Sequence, residues 1–160
     1  MHDKGQTNII QLDDRLQDGR QSQNALKIQR GTQRLLSVMG YSSVPEVTLP
    51  GGRRADLLVL GPKGQIWIIE IKSSLTDFTS DNKWESYREF CDQFYFASLP
   101  EVPSEVFPED TGFILSDGYD AEIIREAPQH KLSAPRRKAI TLVFAHSAAK
   151  SLHRLRDPKI

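Results

Sequence analysis

Residues Arg53–Ser74, "RRADLLVLGPKGQIWIIEIKSS", constrain the fold of this chain more than any other stretch. Two runs of aliphatic and β-branched residues flank a Gly/Pro-containing turn, which predicts a β-hairpin. Pro62 suits the second position of a type I turn and Gly64 suits a left-handed residue just after it. That combination gives the three-residue loop that ends in a bulge. With Pro62, Lys63 and Gly64 in the loop, Gly61 faces Gln65, Leu60 faces Ile66 and Leu58 faces Ile68. Asp56 then lies directly opposite Glu70. Strand side chains alternate, so Lys72 shares the face of Glu70. A loop one residue shorter or longer would send the two carboxylates to opposite faces, so everything depends on one residue of register.

Two like charges opposite one another cost about 0.2–1 kcal/mol even in a solvated sheet, and burial raises that cost. A divalent cation between the carboxylates of Asp56 and Glu70 would offset it. Hard oxygen ligands suit Mg²⁺ or Mn²⁺, and the Ile71 carbonyl is available as a third oxygen. Lys72, one pleat further on, would orient a water or balance charge developing on a phosphate. The competing reading puts Glu70 and Lys72 at the wet end of the strand, paired with each other or with Arg54. The pattern alone leaves both open.

The remaining chain predicts one α/β domain. Apolar residues at Ile28, Leu35, Leu36 and Met39 mark one face of a helix from Asn24 to Met39, with Gly40 at its stop. Gly31 inside that helix costs about 1 kcal/mol relative to Ala. "VPEVTLP" reads as a strand before the hairpin, and "FYFAS", "TGFILSD" and "AEIIREA" read as strands after it. "DNKWESYREFCDQF" returns to helical spacing, with Trp84, Tyr87, Cys91 and Phe94 on one stripe, and Asp81 as its N-cap. Asp92 near the end of that helix opposes the dipole preference. Ser133 and Pro135 predict the N-cap and first turn of a last helix reaching about Arg156. Residues 1–23 are polar without sustained period and predict a flexible or weakly helical lead-in, leaving 24–160 as the domain. The order α-β-β-β-α-β-β-β-α implies a sheet with helices packed on its faces.

Composition removes several function classes. With Cys91 as the one cysteine, neither a disulfide framework nor a zinc finger can form. The four histidines have no metal-ligand spacing, and "GPKG" lacks the spacing of a phosphate-binding P-loop. No run approaches a membrane span and no secretory signal opens the chain, so a cytoplasmic protein is expected. Zero net charge hides an asymmetry: eight acids against Arg125 alone between Glu101 and Glu126, then seven Lys/Arg against Asp157 alone between Arg136 and Lys159. The basic end, with Arg136, Arg137, Lys138 and Lys150, is a candidate footprint for DNA phosphates. A solvated helix face balancing an acidic neighbour is the alternative.

"RAD" at Arg54–Asp56 and "EIK" at Glu70–Lys72, with a helix before and a helix after, resemble the PD-(D/E)XK nuclease superfamily, with "RAD" in place of "PD". More closely, "EVTLPGGRRADLLVLGPKGQIWIIEIKSS", "DFTSDNKWESYREFCDQFYFA" and "REAPQHKLSAPRRKAITLVFA" are similar to the bacterial MmcB-type DNA-repair family, over about Ala25 to Leu155. The resemblance implies a restriction-endonuclease-like core, a mixed sheet flanked by helices. It also implies a role in repair of damaged DNA with Mg²⁺- or Mn²⁺-dependent phosphodiester cleavage. Asp56 and Glu70 would be metal ligands with the Ile71 carbonyl, and Lys72 the catalytic lysine. Some relatives present a Gln and a Tyr one turn apart in the following helix; here Lys83 and Tyr87 hold those places, with core packing as the alternative for Tyr87. Many relatives also carry an acid in the first helix, where this chain has only Gln29 and Gln33. Glu46 is the nearest substitute by sequence.

Two functions follow from different classes. One is a metal-dependent DNA endonuclease or exonuclease. The other is a catalytically silent nuclease fold that binds DNA or a protein partner. Expected partners are damaged, branched or single-stranded DNA, and either a second copy of the chain or the proteins of a repair complex.

Overall fold

The structure, a computed structural model, describes residues 23–79 and 84–159. The expected lead-in up to Ser22 lies outside the described residues, as do Asp81 and Lys83. Helix α1 covers residues 23–38, and Gly40 ends it with a left-handed φ of 79°. Strands follow at β1 (Ser42–Thr48), β2 (Arg54–Leu60), β3 (Ile66–Lys72), β4 (Gln93–Ser98), β5 (Gly112–Ser116) and β6 (Ala121–Arg125). A short helix α2 (Leu75–Thr79) and a 3-10 helix (Trp84–Phe90) lie between β3 and β4, and α3 (Ala134–Arg156) closes the fold.

The described strands form one six-stranded sheet in chain order, β1 to β6. β1–β2, β2–β3 and β5–β6 are antiparallel, whereas β3–β4 and β4–β5 are parallel. This is the mixed, helix-flanked α/β sheet expected. One face packs Leu57, Val59, Trp67, Ile69, Tyr95 and Ile114 beneath Ile28 and Leu36 of α1. The other packs Leu58, Ile68, Phe94, Phe96 and Phe113 beneath Trp84, Tyr87, Phe107 and Ile140 of α3. Alternation along β3 therefore leaves Ile68 and Ile69 on opposite layers.

Gly31 is needed rather than merely tolerated. A Cβ there would stand 2.1 Å from Ser116 Oγ and 2.6 Å from the Asp120 carbonyl oxygen, so α1 crosses the β5–β6 turn where a side chain has no room. The predicted helix at 81–94 is corrected. Its described part is a 3-10 helix ending at Phe90, and Phe94 belongs to β4 rather than to a helical stripe. Trp84, Tyr87 and Phe90 recur every third residue, which suits three residues per turn. Ser133 caps α3 as expected: its hydroxyl accepts from Arg136 N–H at 3.4 Å, with Pro135 in the first turn.

Candidate functional site

The hairpin has the expected register. Leu58 pairs with Ile68 and Leu60 with Ile66. Gly61 N–H donates to the Gln65 carbonyl at 2.8 Å, and Gly64, with φ 87°, completes the loop. The β2–β3 ladder stops at Leu57–Ile69. β3 nevertheless stays on β4 as far as Lys72–Ser98, where Ser98 Oγ donates to the Lys72 carbonyl at 2.6 Å. β2 and β3 thus part just where Asp56 and Glu70 stand.

Side chains fill the gap that the ladder leaves. Asp56 N–H donates to Glu70 Oε1 at 3.1 Å, and Ile71 N–H donates to Asp56 Oδ2 at 2.8 Å. Each carboxylate takes the place a strand carbonyl would occupy. Glu70 and Lys72 are buried, at 5% and 7% exposure, and Asp56 is half-buried. Burial first, then the Asp56 charge, pushes the Glu70 carboxyl from 4.5 up to about 9, against the opposing pull of the Asp56 N–H and the Lys72 ammonium. The wet-end alternative does not describe these side chains, since Glu70 and Lys72 are both withdrawn from water.

Other expected residues distribute as follows. Tyr87 is buried; its hydroxyl donates to the Arg54 carbonyl at 3.0 Å and its ring stacks on Phe94 with centroids 5.8 Å apart. Glu46 falls opposite Asp56, bracketed by the pairs Pro45–Leu57 and Val47–Ala55, with a left-handed φ of 55°. Its side chain is exposed. Among the described residues, no three His, Cys, Asp or Glu side chains cluster so as to hold a metal ion. The oxygen donors that remain, two carboxylates and the Ile71 carbonyl, are hard ligands of the kind Mg²⁺ and Mn²⁺ take, and Mg²⁺ commonly uses only one or two carboxylates with water and phosphate oxygens. The donor set fits such an ion.

The basic candidates lie on α3, which carries Arg136, Arg137, Lys138, Lys150, Arg154 and Arg156 and no acid. Lys138 and Lys150 are exposed. Arg136 donates to the Glu89 carbonyl at 3.0 Å and lies 5.6 Å from the Phe90 ring centroid. Arg137 is engaged inward: it grips both Asp92 carboxylate oxygens, at 2.6 and 2.7 Å, and the Gly64 carbonyl at 3.0 Å. Asp92 also accepts from Ile66 N–H at 2.8 Å and Leu132 N–H at 2.9 Å. Burial alone would raise its carboxyl, but Arg137 and these two N–H groups outweigh that and hold it below the usual range. Asp92 is therefore a junction joining β3, β4 and α3, not a misplaced helix-end charge. The sequence marked Asp92 as a candidate for site or structural duty but not its partners, which lie 26, 40 and 45 residues away.

A mixed-sheet α/β protein whose central hairpin opens onto two carboxylates and a lysine is the class that fold and site define. The chain belongs to the MmcB-like family: the profile described as "DNA repair protein MmcB-like" matches residues 12–159. Among solved structures, the "SPO1766 protein of unknown function from Silicibacter pomeroyi" is similar to it, at 45% identity and a TM-score of 0.82, covering 85% of this chain and 93% of that one. No curated protein matches the chain. No described helix is long and apolar enough to cross a membrane.

Proposed function

We propose that this protein is a DNA-repair nuclease of the cytoplasm, cleaving phosphodiester bonds at Asp56, Glu70 and Lys72 with Mg²⁺ or Mn²⁺. One observation carries the reading: two carboxylates are forced together at the parting of β2 and β3, with a buried lysine on the same strand as Glu70. Membership of a DNA-repair family supports DNA as the substrate. The ion, when bound, supplies charge neutralisation and a water of lowered pKa. Asp56, Glu70 and the Ile71 carbonyl would hold it. The Lys72 ammonium offsets charge that builds on the phosphate oxygens, and β4 fixes its backbone through Ser98. Lys83 keeps only the role that the family resemblance implies, and the Tyr87 hydroxyl is engaged by the Arg54 carbonyl.

The test is a panel of linear, branched and single-stranded DNAs with Mg²⁺ or Mn²⁺, wild type beside Asp56→Ala, Glu70→Ala and Lys72→Ala. Divalent-dependent cleavage lost in each folded variant is the expected result. Undiminished cleavage by all three rules the site out.

A second reading, a DNA-binding module without chemistry, is favoured by the raised Glu70 carboxyl: a proton shared with Asp56 closes the pair without any cation. It predicts salt-sensitive binding through Arg136, Arg137, Lys138 and Lys150 and no cleavage with any metal. Lys138 and Lys150 are the informative pair, because Arg137 also fastens α3. Full DNA affinity after neutralising all four would remove that surface.

A further inference from the structure

The β1–β2 turn stands at the same end of the sheet as the carboxylate pair. Leu49 N–H donates to the Arg53 carbonyl at 2.7 Å and Gly52 N–H to the Leu49 carbonyl at 3.0 Å, closing the turn around Pro50, Gly51 and Gly52. Both glycines hold φ near 94°, and nothing lies within 4 Å of where their Cβ atoms would be. The tip is bare, exposed backbone of a conformation that other residues rarely adopt.

Two arginines follow it. The Arg53 guanidinium lies 5.5 Å from the Tyr87 ring centroid, and the Tyr87 hydroxyl bonds the Arg54 carbonyl. Tyr87 thereby holds both residues at the base of the turn. Arg54 is exposed, and among the described residues its side chain has no ion-pair partner. It precedes Asp56 by two positions, roughly 7 Å along the strand.

We propose that this hairpin tip is a DNA-backbone clamp: Arg54, with Arg53 beside it, binds the phosphate adjoining the one presented to Asp56, Glu70 and Lys72. The inference rests on DNA as the ligand. Two carboxylates repel a phosphodiester, and a guanidinium beside them supplies the opposite field. Its planar fork matches phosphate oxygens in a bidentate way, while the glycine tip lets a strand approach the backbone closely. Tyr87 is a positioning residue in this arrangement, not a reacting one.

The test measures binding of labelled single-stranded and duplex oligonucleotides by anisotropy across a salt series without divalent metal. Each lost phosphate contact lowers the log–log salt slope by about 0.9 on duplex and about 0.7 on single strands. Arg54→Ala is expected to lose about one contact, and Arg54→Lys to restore the slope. Tyr87→Phe is expected to weaken binding by about fivefold, one hydrogen bond's worth, with the slope unchanged because no charge is lost. A folded Arg54→Ala protein with the wild-type slope overturns the clamp, as does wild type that binds no DNA at low salt. Absence of cleavage alone leaves the clamp standing and removes only the nuclease reading.

Discussion

Asp56 and Glu70 hold each other's strands: Glu70 Oε1 accepts the Asp56 N–H at 3.1 Å, and Asp56 Oδ2 accepts the N–H of Ile71, the residue after Glu70, at 2.8 Å. The two carboxyls are therefore structural groups as well as candidate ligands. Removing either leaves a strand N–H without its acceptor, which costs about 1–3 kcal/mol where the group is buried.

The first prediction concerns pH. Glu70 binds its proton more tightly folded, up to about 9, than unfolded, near 4.5. Between those values the folded state carries the extra proton, so stability is greatest below the lower value and falls as pH rises toward the upper. Metal-free melting temperatures should drop from pH 5 to 9, and Glu70→Gln should flatten that drop. Added Mg²⁺ or Mn²⁺ should stabilise the wild type more at pH 8 than at pH 6, because binding displaces the proton. A metal effect independent of pH would mean that the ion binds elsewhere.

Asp92 makes the second prediction. Its carboxylate serves Ile66, Leu132 and Arg137 at once. Asp92→Ala should cost about 3–5 kcal/mol, the range for breaking a buried pair, read by urea denaturation. Its folded carboxyl is held low, so its contribution is present above the ordinary value of 3.8 and is lost as pH falls through the folded one. Asp92→Asn should show less acid sensitivity than wild type.

Gly31→Ala separates helix propensity from packing. An exposed helical site would gain about 1 kcal/mol. Here the added methyl meets the Asp120 carbonyl at 2.6 Å, so overpacking should dominate and destabilise the fold by about 1–3 kcal/mol. A higher melting temperature for the variant would show that α1 can lift off the turn.

Cys91 should be inert in the folded protein. Burial pushes its thiol up to about 12, and its Sγ donates to the Tyr87 carbonyl at 3.4 Å. Thiolate is the reacting form, so labelling by a thiol reagent should follow global unfolding. Rapid modification of native protein at pH 7.5 would contradict this packing.

Much of the site was legible because it is local. The turn "GPKG" dictated a loop length, the loop length dictated a register, and the register put Asp56 opposite Glu70. What the sequence concealed was the opening of β2 from β3, which depends on β4 keeping hold of β3 at Ser98. The segment before β4 misled for a related reason. Trp84, Tyr87, Cys91 and Phe94 fit a helical stripe, yet Asp92, through its bonds to Ile66, draws the chain into the sheet and turns Phe94 into a strand residue. Arg137 looked like surface charge because nothing near it in the chain announces the acid it meets.

Because neighbouring strands in the sheet are also successive in the chain, no strand has to be threaded between two that are already paired. As the polypeptide leaves the ribosome, each new strand can add to the growing border, with the carboxylate-bearing hairpin of β2 and β3 emerging before β4. The hairpin pairings are local and quick to form, while the parallel additions of β4 and β5, across 26 and 17 residues, are the slower steps during which a border of the sheet stays open.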